Sequence, residues 1–314
     1  MRTLSAPISL DFLIKITGQR LVLPFYHAVS DEPKPHFSEL TYFRTEKDFI
    51  TDLDFFTQNF ESVPIEIANG FSRHFHLSFD DGMREMYDVV FPLLAERKID
   101  ATFFVTTGFI DNKKMFVSHK RSLLLNEIKN SSYNSTKAAD YLKINENQIF
   151  KNVSELKNET EIDQIANLLG IDFKQYLHDH QPYLSKKQVI ELKKAGFTIG
   201  NHSETHRNFN SLNFSEQKIE IVSTNRFLKT LSVDKLFFAF PYGDHGIKNE
   251  FFEWLFTEGE IEKSFGVSGL KKDFYEKHQH RILMEQPYTA EEIIKTEYFY
   301  YFWKAFLYKN KIRR

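Results

Sequence analysis

The sequence predicts an α/β fold built from parallel β/α units, and three observations carry the prediction. Short apolar runs alternate with segments of helical period along much of the chain. Ala101-Thr102-Phe103-Phe104-Val105 is apolar almost throughout, as a parallel strand covered on both faces should be. Three apolar runs end in polar, turn-forming residues: Asp80-Asp81-Gly82, His202-Ser203-Glu204-Thr205-His206 and Pro241-Tyr242-Gly243. The carboxyl ends of parallel strands are where open α/β sheets and barrels place their chemistry.

The elements follow in order. Residues 9–16 read as a short helix, and residues 20–27 as a first strand ending in Tyr26-His27. Residues 45–60 form an amphipathic helix, with Thr45 as its cap and Phe49, Leu53 and Phe56 on one face. Residues 75–79 are the second strand and deliver the acid pair. Residues 84–97 read as a helix with Val89, Val90, Leu93 and Leu94 inward, and residues 101–105 as the third strand. This β-α-β-α-β order argues for parallel crossover units.

From about 112 to 182 the strand signals stop. The stretch is rich in Lys, Asn and Glu, with helical pieces around 122–129, 136–142, 146–156 and 161–169. It reads as a helical insertion on the side of the strand ends: a cap, a lid or a docking surface. Order resumes with a helix from Ser185 to Gly196 that turns Val189, Ile190 and Leu192 inward, then the strand to His202. A helix over 215–231, the strand to Tyr242, a helix over 249–257 and short strands over 264–267 and 280–284 come next. A long helix over 289–309 closes the chain. It carries Tyr298, Phe299, Tyr300, Tyr301, Phe302, Trp303, Phe306 and Tyr308, a band that packs on the fold or serves a second subunit or another partner. With no internal repeat, residues 1–314 read as one domain around the insertion.

Composition narrows the function. The apolar fraction is 41% with 33 Phe, ample for a large core. The formal net charge is -2, which argues for neither nucleic acid nor an anionic membrane surface. There is no cysteine, hence no disulfide and no thiolate chemistry. The first twenty residues lack the basic start and unbroken apolar core of a signal peptide, and no apolar run is long enough to span a membrane. A cytoplasmic protein is the expectation.

Residue types suggest the chemistry. His202 and His206 lie four apart, so on one helical turn both imidazoles would face the same way. Two imidazoles and a carboxylate are a common ligand set for a catalytic zinc, with positions left for water and substrate. Asp80 and Asp81, on extended chain, would point to opposite sides, which suits different tasks.

The three strand-end stretches, in this order, resemble the polysaccharide deacetylase family, also called the NodB homology domain or carbohydrate esterase family 4. Its T/S-F-D-D-G motif matches Ser78-Phe79-Asp80-Asp81-Gly82, and its H-S/T-x-x-H motif matches His202 to His206. Its R-x-P-Y/F motif matches Ala239-Phe240-Pro241-Tyr242, with alanine where the family usually has arginine. The form Phe238-Ala239-Phe240-Pro241-Tyr242-Gly243 is similar to a branch that acts on exported or surface polysaccharides. The resemblance covers residues 20 to 285 and implies a deformed (β/α)7 barrel with a helical insertion.

The resemblance also implies roles. Asp81, His202 and His206 would hold a divalent metal, zinc by expectation, with cobalt or nickel as alternatives. Asp80 would take a proton from the attacking water. Pro241 and Tyr242 would contact substrate, the Tyr242 N–H holding the oxyanion, and His27 would stand at the active-site mouth. In most relatives the arginine absent here orients the base; either another group replaces it, with Arg281 as the candidate, or the base is tuned differently. Relatives protonate the leaving amine with a late histidine. On extended chain His278, His280 and Ile282 share one face and Gln279 and Arg281 the other. Of the two histidines, His280 is the expected catalytic acid, and Arg281 then reaches Asp80 only if the strand twists or bulges. The implied activity is removal of an N-acetyl group, with O-acetyl as the lesser alternative, from a polysaccharide or its saccharide precursor. Hydrolysis of small amides on the same scaffold, or a sugar-binding module that has lost catalysis, are the competing readings. Retention of Asp80 beside all three ligands speaks against the last.

Overall fold

The computed structural model describes residues 2–40 and 42–314. Its centre is a parallel sheet curled into a nearly closed, deformed (β/α) barrel. Going round it in chain order are β1 (Pro24–Tyr26), β2 (Leu77–Phe79), β3 (Ala101–Val105), β4 (Thr198–Asn201), β5 (Leu236–Ala239) and β6 (Ile261–Gly266). The last position, β7, is one segment in two halves, His278–His280 and Ile282–Leu283. The first half pairs with β6 and the second with β1, all in parallel. The handover takes a single residue. Arg281 N–H donates to Gly266 O at 3.0 Å, and Ile282 N–H to Leu23 O at 2.8 Å. Arg281 therefore sits where the barrel closes.

The first two strands are shorter than the apolar runs suggest. Leu21–Val22 leaves the barrel and pairs with His74–Phe75 in a small side sheet with Glu61–Ser62. Pro24, which has no N–H for a ladder, marks the change. The second run breaks at His76, whose ring bonds Val63 O and Thr102 Oγ1, each at 2.8 Å.

Helices cover the strands, most of them as the periodicity requires. Ser9 caps α1 (Leu10–Thr17), and Thr45 caps α2 (Glu46–Asn59), which buries Phe49, Leu53 and Phe56. The helix expected over 84–97 begins instead as a π-turn, Met86–Val90, before α3 (Phe91–Arg97). Pro92 cannot donate to Asp88, so the chain widens one turn there. The shift buries Val90 and Leu94 and leaves Val89 and Leu93 half-buried.

After β3, and before the helix that leads into β4, the chain runs through five α-helices: α4 (Val117–Asn130), α5 (Ser132–Leu142), α6 (Ile149–Glu155), α7 (Glu159–Leu169) and α8 (Phe173–His180). They enclose a core of their own, which includes Leu124, Ile128, Ile149, Val153, Ile162 and Ile165. Helix α8, absent from the expected pieces, is only 8 residues long; its apolar stripe of Phe173, Tyr176 and Leu177 is brief, and Leu177 alone is fully buried. Three more helices complete the outer layer: α9 (Lys186–Lys194), α10 (Phe214–Thr230) and α11 (Asn249–Thr257). The terminal α12 (Ala290–Phe306) packs on α1 and α2. Its aromatic band divides: Tyr298 and Tyr301 are buried, while Trp303 and Phe306 are exposed. No helix among the described residues is long and apolar enough to cross a membrane.

Candidate active site

The two acids end β2, where Asp80 N–H donates to Tyr26 O at 2.9 Å. Strand alternation would send their side chains apart, but Asp81 is not on the strand. Its φ of 75°, followed by 77° at Gly82, turns the chain sharply. Both carboxylates consequently reach one imidazole: His202 Nε2 lies 3.3 Å from Asp81 Oδ1 and 4.0 Å from Asp80 Oδ2.

The histidine loop is not a helical turn, contrary to the expectation from spacing. After β4 the chain passes through left-handed residues at Ser203 (φ 69°) and His206 (φ 56°). Side chains hold that shape. Asn201 Oδ1 accepts from Ser203 N–H at 2.7 Å, and Ser203 Oγ accepts from His206 N–H at 3.0 Å. The buried Glu220 carboxylate accepts from Glu204 N–H at 3.0 Å and Thr205 N–H at 2.8 Å. Gly108 lets the neighbouring loop close in, since a Cβ there would stand 2.5 Å from Glu204 O. The turn achieves what a helix would have done: His206 Nε2 comes within 3.0 Å of Asp81 Oδ1.

This group has the character of a ligand set. One donor atom each from Asp81, His202 and His206 lie within 4.8 Å of one another. His202 Nδ1–H donates to Ala239 O at 2.9 Å, which leaves the Nε2 lone pair aimed at the group. Asp81 Oδ1 is buried without a hydrogen bond, although two imidazole nitrogens converge on it. A buried carboxylate oxygen is costly in that state unless a cation takes its lone pairs. Burial pushes the Asp81 carboxyl up, yet the histidines beside it hold it well below the usual range.

Asp80 is engaged differently. Arg281 grips it with two parallel hydrogen bonds of 2.7 Å and gives a third, of 3.0 Å, to Ser78 Oγ. The guanidinium lies over the Phe25 ring at 4.3 Å and is almost wholly buried. Burial would raise the Asp80 carboxyl; Arg281, His202 and His27 outweigh it and hold it below the ordinary value. At Ala239, where the family arginine is expected, the side chain packs in the barrel interior with Phe104, Phe237 and Phe265.

His27, at the end of β1, faces the same group. Its Nδ1 lies 2.6 Å from Glu285 Oε2, while Glu285 Oε1 accepts from the N–H groups of His27 and Ala28, each at 2.7 Å. The Glu285 side chain is fully buried and that of His27 is 33% exposed. Burial lowers the imidazole's pKa, but Glu285, with Asp81 and Asp80 behind it, carries it up to about 10.

A sequence model described as polysaccharide deacetylase matches residues 69–250, more than half of the chain. The chain belongs to the polysaccharide deacetylase family. No curated protein matches it in sequence. Among solved structures, a Streptococcus pyogenes deacetylase, PplD, in complex with acetate is similar with a TM-score of 0.58 at 14% identity, over 88% of this chain and 97% of that one. IcaB from Ammonifex degensii gives 0.57 at 17% identity, over 89% and 97%. A de-N-acetylase from Aggregatibacter actinomycetemcomitans gives 0.55 at 14%, over 88% and 99%. At such identities the likeness is one of fold, and it extends well beyond the stretch that the sequence model covers.

Around the Asp81, His202 and His206 group the walls are aromatic. Tyr242, with a φ of 60°, is 60% exposed, and its ring lies 4.8 Å from that of His206. Pro241 before it is buried. On the other side Phe116, just ahead of α4, meets the His206 ring edge-on at 4.9 Å. Tyr183 Oη fixes this wall by accepting from Phe116 N–H at 3.1 Å and bonding His119 Nδ1 at 2.7 Å. Both ends of the α4–α8 segment thus stand at the strand-end mouth. His280 does not. Its Nε2 lies 3.1 Å from Asp273, and its ring packs on His278 outside the barrel wall. With Arg281 turned inward, strand alternation sends His280 outward. Sequence reasoning passed over Glu285, Phe116 and His119. Glu285 carried the same signal as the acid pair, a carboxylate just past an apolar strand end.

Proposed function

We propose that this family member is a metal-dependent deacetylase that removes N-acetyl groups from sugar units of a polysaccharide or its precursor. The observation that carries the reading is the convergence of Asp81, His202 and His206 beside a second, arginine-gripped carboxylate, Asp80. Those three side chains fit a zinc-class ion by donor type and by the orphaned Asp81 oxygen. A divalent ion held there would lower the pKa of a bound water and polarise the acetyl carbonyl.

The remaining work falls to the protein. Asp80, kept ionised and fixed at both oxygens, accepts a proton from the attacking water. Arg281 orients it, in place of the family arginine absent at Ala239. The Tyr242 N–H is the donor for the developing oxyanion. His27 is the group to protonate the leaving amine. Its Nδ1 is committed to Glu285, its other nitrogen is left for substrate, and its proton is retained at neutral pH. That role was expected of His280, which stands in a different cluster. Tyr242 and Phe116 offer ring faces to a sugar on either side of His206.

The test is acetate release from N-acetylated and O-acetylated oligosaccharides, with chelator and after return of zinc, cobalt or nickel. Chelator-sensitive release from the N-acetylated set is expected. Release unaffected by chelation, or confined to small non-sugar amides, overturns the proposal.

A further inference from the structure

We propose that Asp244, Asp273, His278 and His280 form a second divalent-metal site, structural and of zinc type, which ties the loop after β5 to the last strand. Asp244 directly follows Gly243 in that loop. Asp273 comes from the loop between β6 and β7, and the two histidines from the outer face of β7. One donor atom from each of the four lies within 4.8 Å of the others. His278 Nε2 is 3.3 Å from Asp244 Oδ2, and His280 Nε2 is 3.1 Å from Asp273 Oδ2. A tetrahedral ion with bonds of about 2.0–2.2 Å has ligand–ligand edges of roughly 3.3–3.6 Å. Small side-chain shifts would close this set around an ion.

Three further observations point to a ligand. His278 is 2% exposed, and its Nε2, aimed into the cluster, makes no hydrogen bond. Its other nitrogen is engaged by Ser264 Oγ at 2.7 Å, the outer partner that a metal-bound imidazole commonly has. Gly266 lies opposite His280 in the ladder, and a Cβ there would stand 2.2 Å from Asp244 Oδ1 and 2.7 Å from His280 Nδ1. Only a residue without a side chain lets that carboxylate and imidazole converge.

Charge agrees. Arg314 reaches in from the chain's last position. It bonds Asp244 Oδ2, and it meets Asp273 through Nη2 at 2.8 Å and Nε at 3.1 Å. It also donates to Asp244 O at 3.2 Å and lies over the Phe252 ring at 4.0 Å. One guanidinium against two carboxylates leaves a negative charge among side chains that are at most 5% exposed. Two imidazoles with two carboxylates, and no thiolate, select a zinc-class ion over magnesium or calcium. Four protein ligands leave no open position, so the site is structural rather than catalytic. Ser268 N–H makes a 3.4 Å hydrogen bond to His280 Nδ1, which the ring gives up when Nε2 takes the ion. The ion would fix Asp244, two residues beyond Tyr242, and so steady the Tyr242 amide.

The test is zinc content by mass spectrometry after loading and desalting, with the absorption spectrum of cobalt-loaded protein as a second readout. Wild-type protein should hold about two ions per chain, and Asp81→Asn/His206→Ala protein about one, with the intense visible bands of tetrahedral cobalt. Adding His278→Ala to that background should remove the remaining ion. Adding Gly266→Ala, which deletes no ligand, should do the same. A wild-type protein that never exceeds one ion, with that ion absent from Asp81→Asn/His206→Ala protein, overturns the proposal. So does a second ion that survives both additions. Either result leaves the Asp81 site to be judged separately, by the ion that Asp81→Asn alone removes.

Discussion

Arg281 and Asp80 meet across the point where the barrel closes, through two hydrogen bonds of 2.7 Å each. The break in β7 is what makes this possible: one residue passes the strand from β6 to β1 and turns its side chain into the interior. Replacement by lysine keeps the charge but loses the paired geometry. Arg281→Lys should lower kcat by about 10²-fold through misplacement of the base, with metal content unchanged. The pH profile should move as well. Arg281 helps hold the Asp80 carboxyl below its ordinary value, and the acid limb of kcat follows the ionisation of this base. In Arg281→Lys that limb should shift upward. An unchanged kcat and acid limb would remove Arg281 from the machinery.

Separate tasks for the adjacent acids give the second prediction. Asp80→Asn should cost about 10²–10⁴-fold in rate, as loss of a general base does, and retain the ion. Asp81→Asn and His206→Ala should lose ion and activity together. Equal metal loss in all three variants would end the division of roles.

The third prediction concerns His27. Its raised pKa, about 10, is above the unfolded value, so the stability it contributes is complete below about pH 6.5 and is lost as pH rises toward 10. Ion-free protein should therefore lose thermal stability across that window, and Glu285→Gln should flatten the loss. In the loaded enzyme, Glu285→Gln should move the alkaline limb of kcat to lower pH. His27→Ala should abolish that limb and His280→Ala should preserve it. A limb that instead disappears with His280→Ala would return the proton to that residue.

How much was legible depends on the range of the interaction. Residues 101–105 and 249–257 announce their elements because an apolar run and an apolar period are local signals. The motifs at 78–82 and 202–206 are likewise contiguous, so Asp80, Asp81 and both histidines could be named. What failed was conformation inside those motifs. Neither the left-handed turn at Asp81 nor those at Ser203 and His206 follows from spacing, and the helical argument for the histidines reached a sound grouping by a wrong geometry. Contacts between distant segments were out of reach: Arg281 on Asp80, Glu285 on His27 and Phe116 on His206 depend on barrel closure and on where α4 begins. His280 was expected over His278 because it lies nearer the apolar part of the strand, but Arg281 takes the inward place and both histidines face outward.

The last prediction concerns Glu220, which touches none of the proposed ligands. Its carboxylate, on α10 and 3% exposed, accepts from the N–H groups of Glu204 and Thr205, bonds Thr205 Oγ1, and lies 3.4 Å from Arg207 Nε. Those contacts hold the backbone between the two histidines in its non-helical path. Glu220→Ala would leave the N–H groups of Glu204 and Thr205 without the acceptor that fixes them. It should lower Tm by several degrees. Loss of such an outer support should weaken metal binding by about 10–100-fold while leaving Asp80 and Arg281 undisturbed. Saturating zinc should then restore most of kcat, because the ligands themselves remain. The measurement is a zinc titration of Glu220→Ala followed by both Tm and turnover. Wild-type affinity at a lowered Tm would make Glu220 a support of α10 alone. Activity that zinc fails to restore would mean that the loop's shape acts on more than the ion.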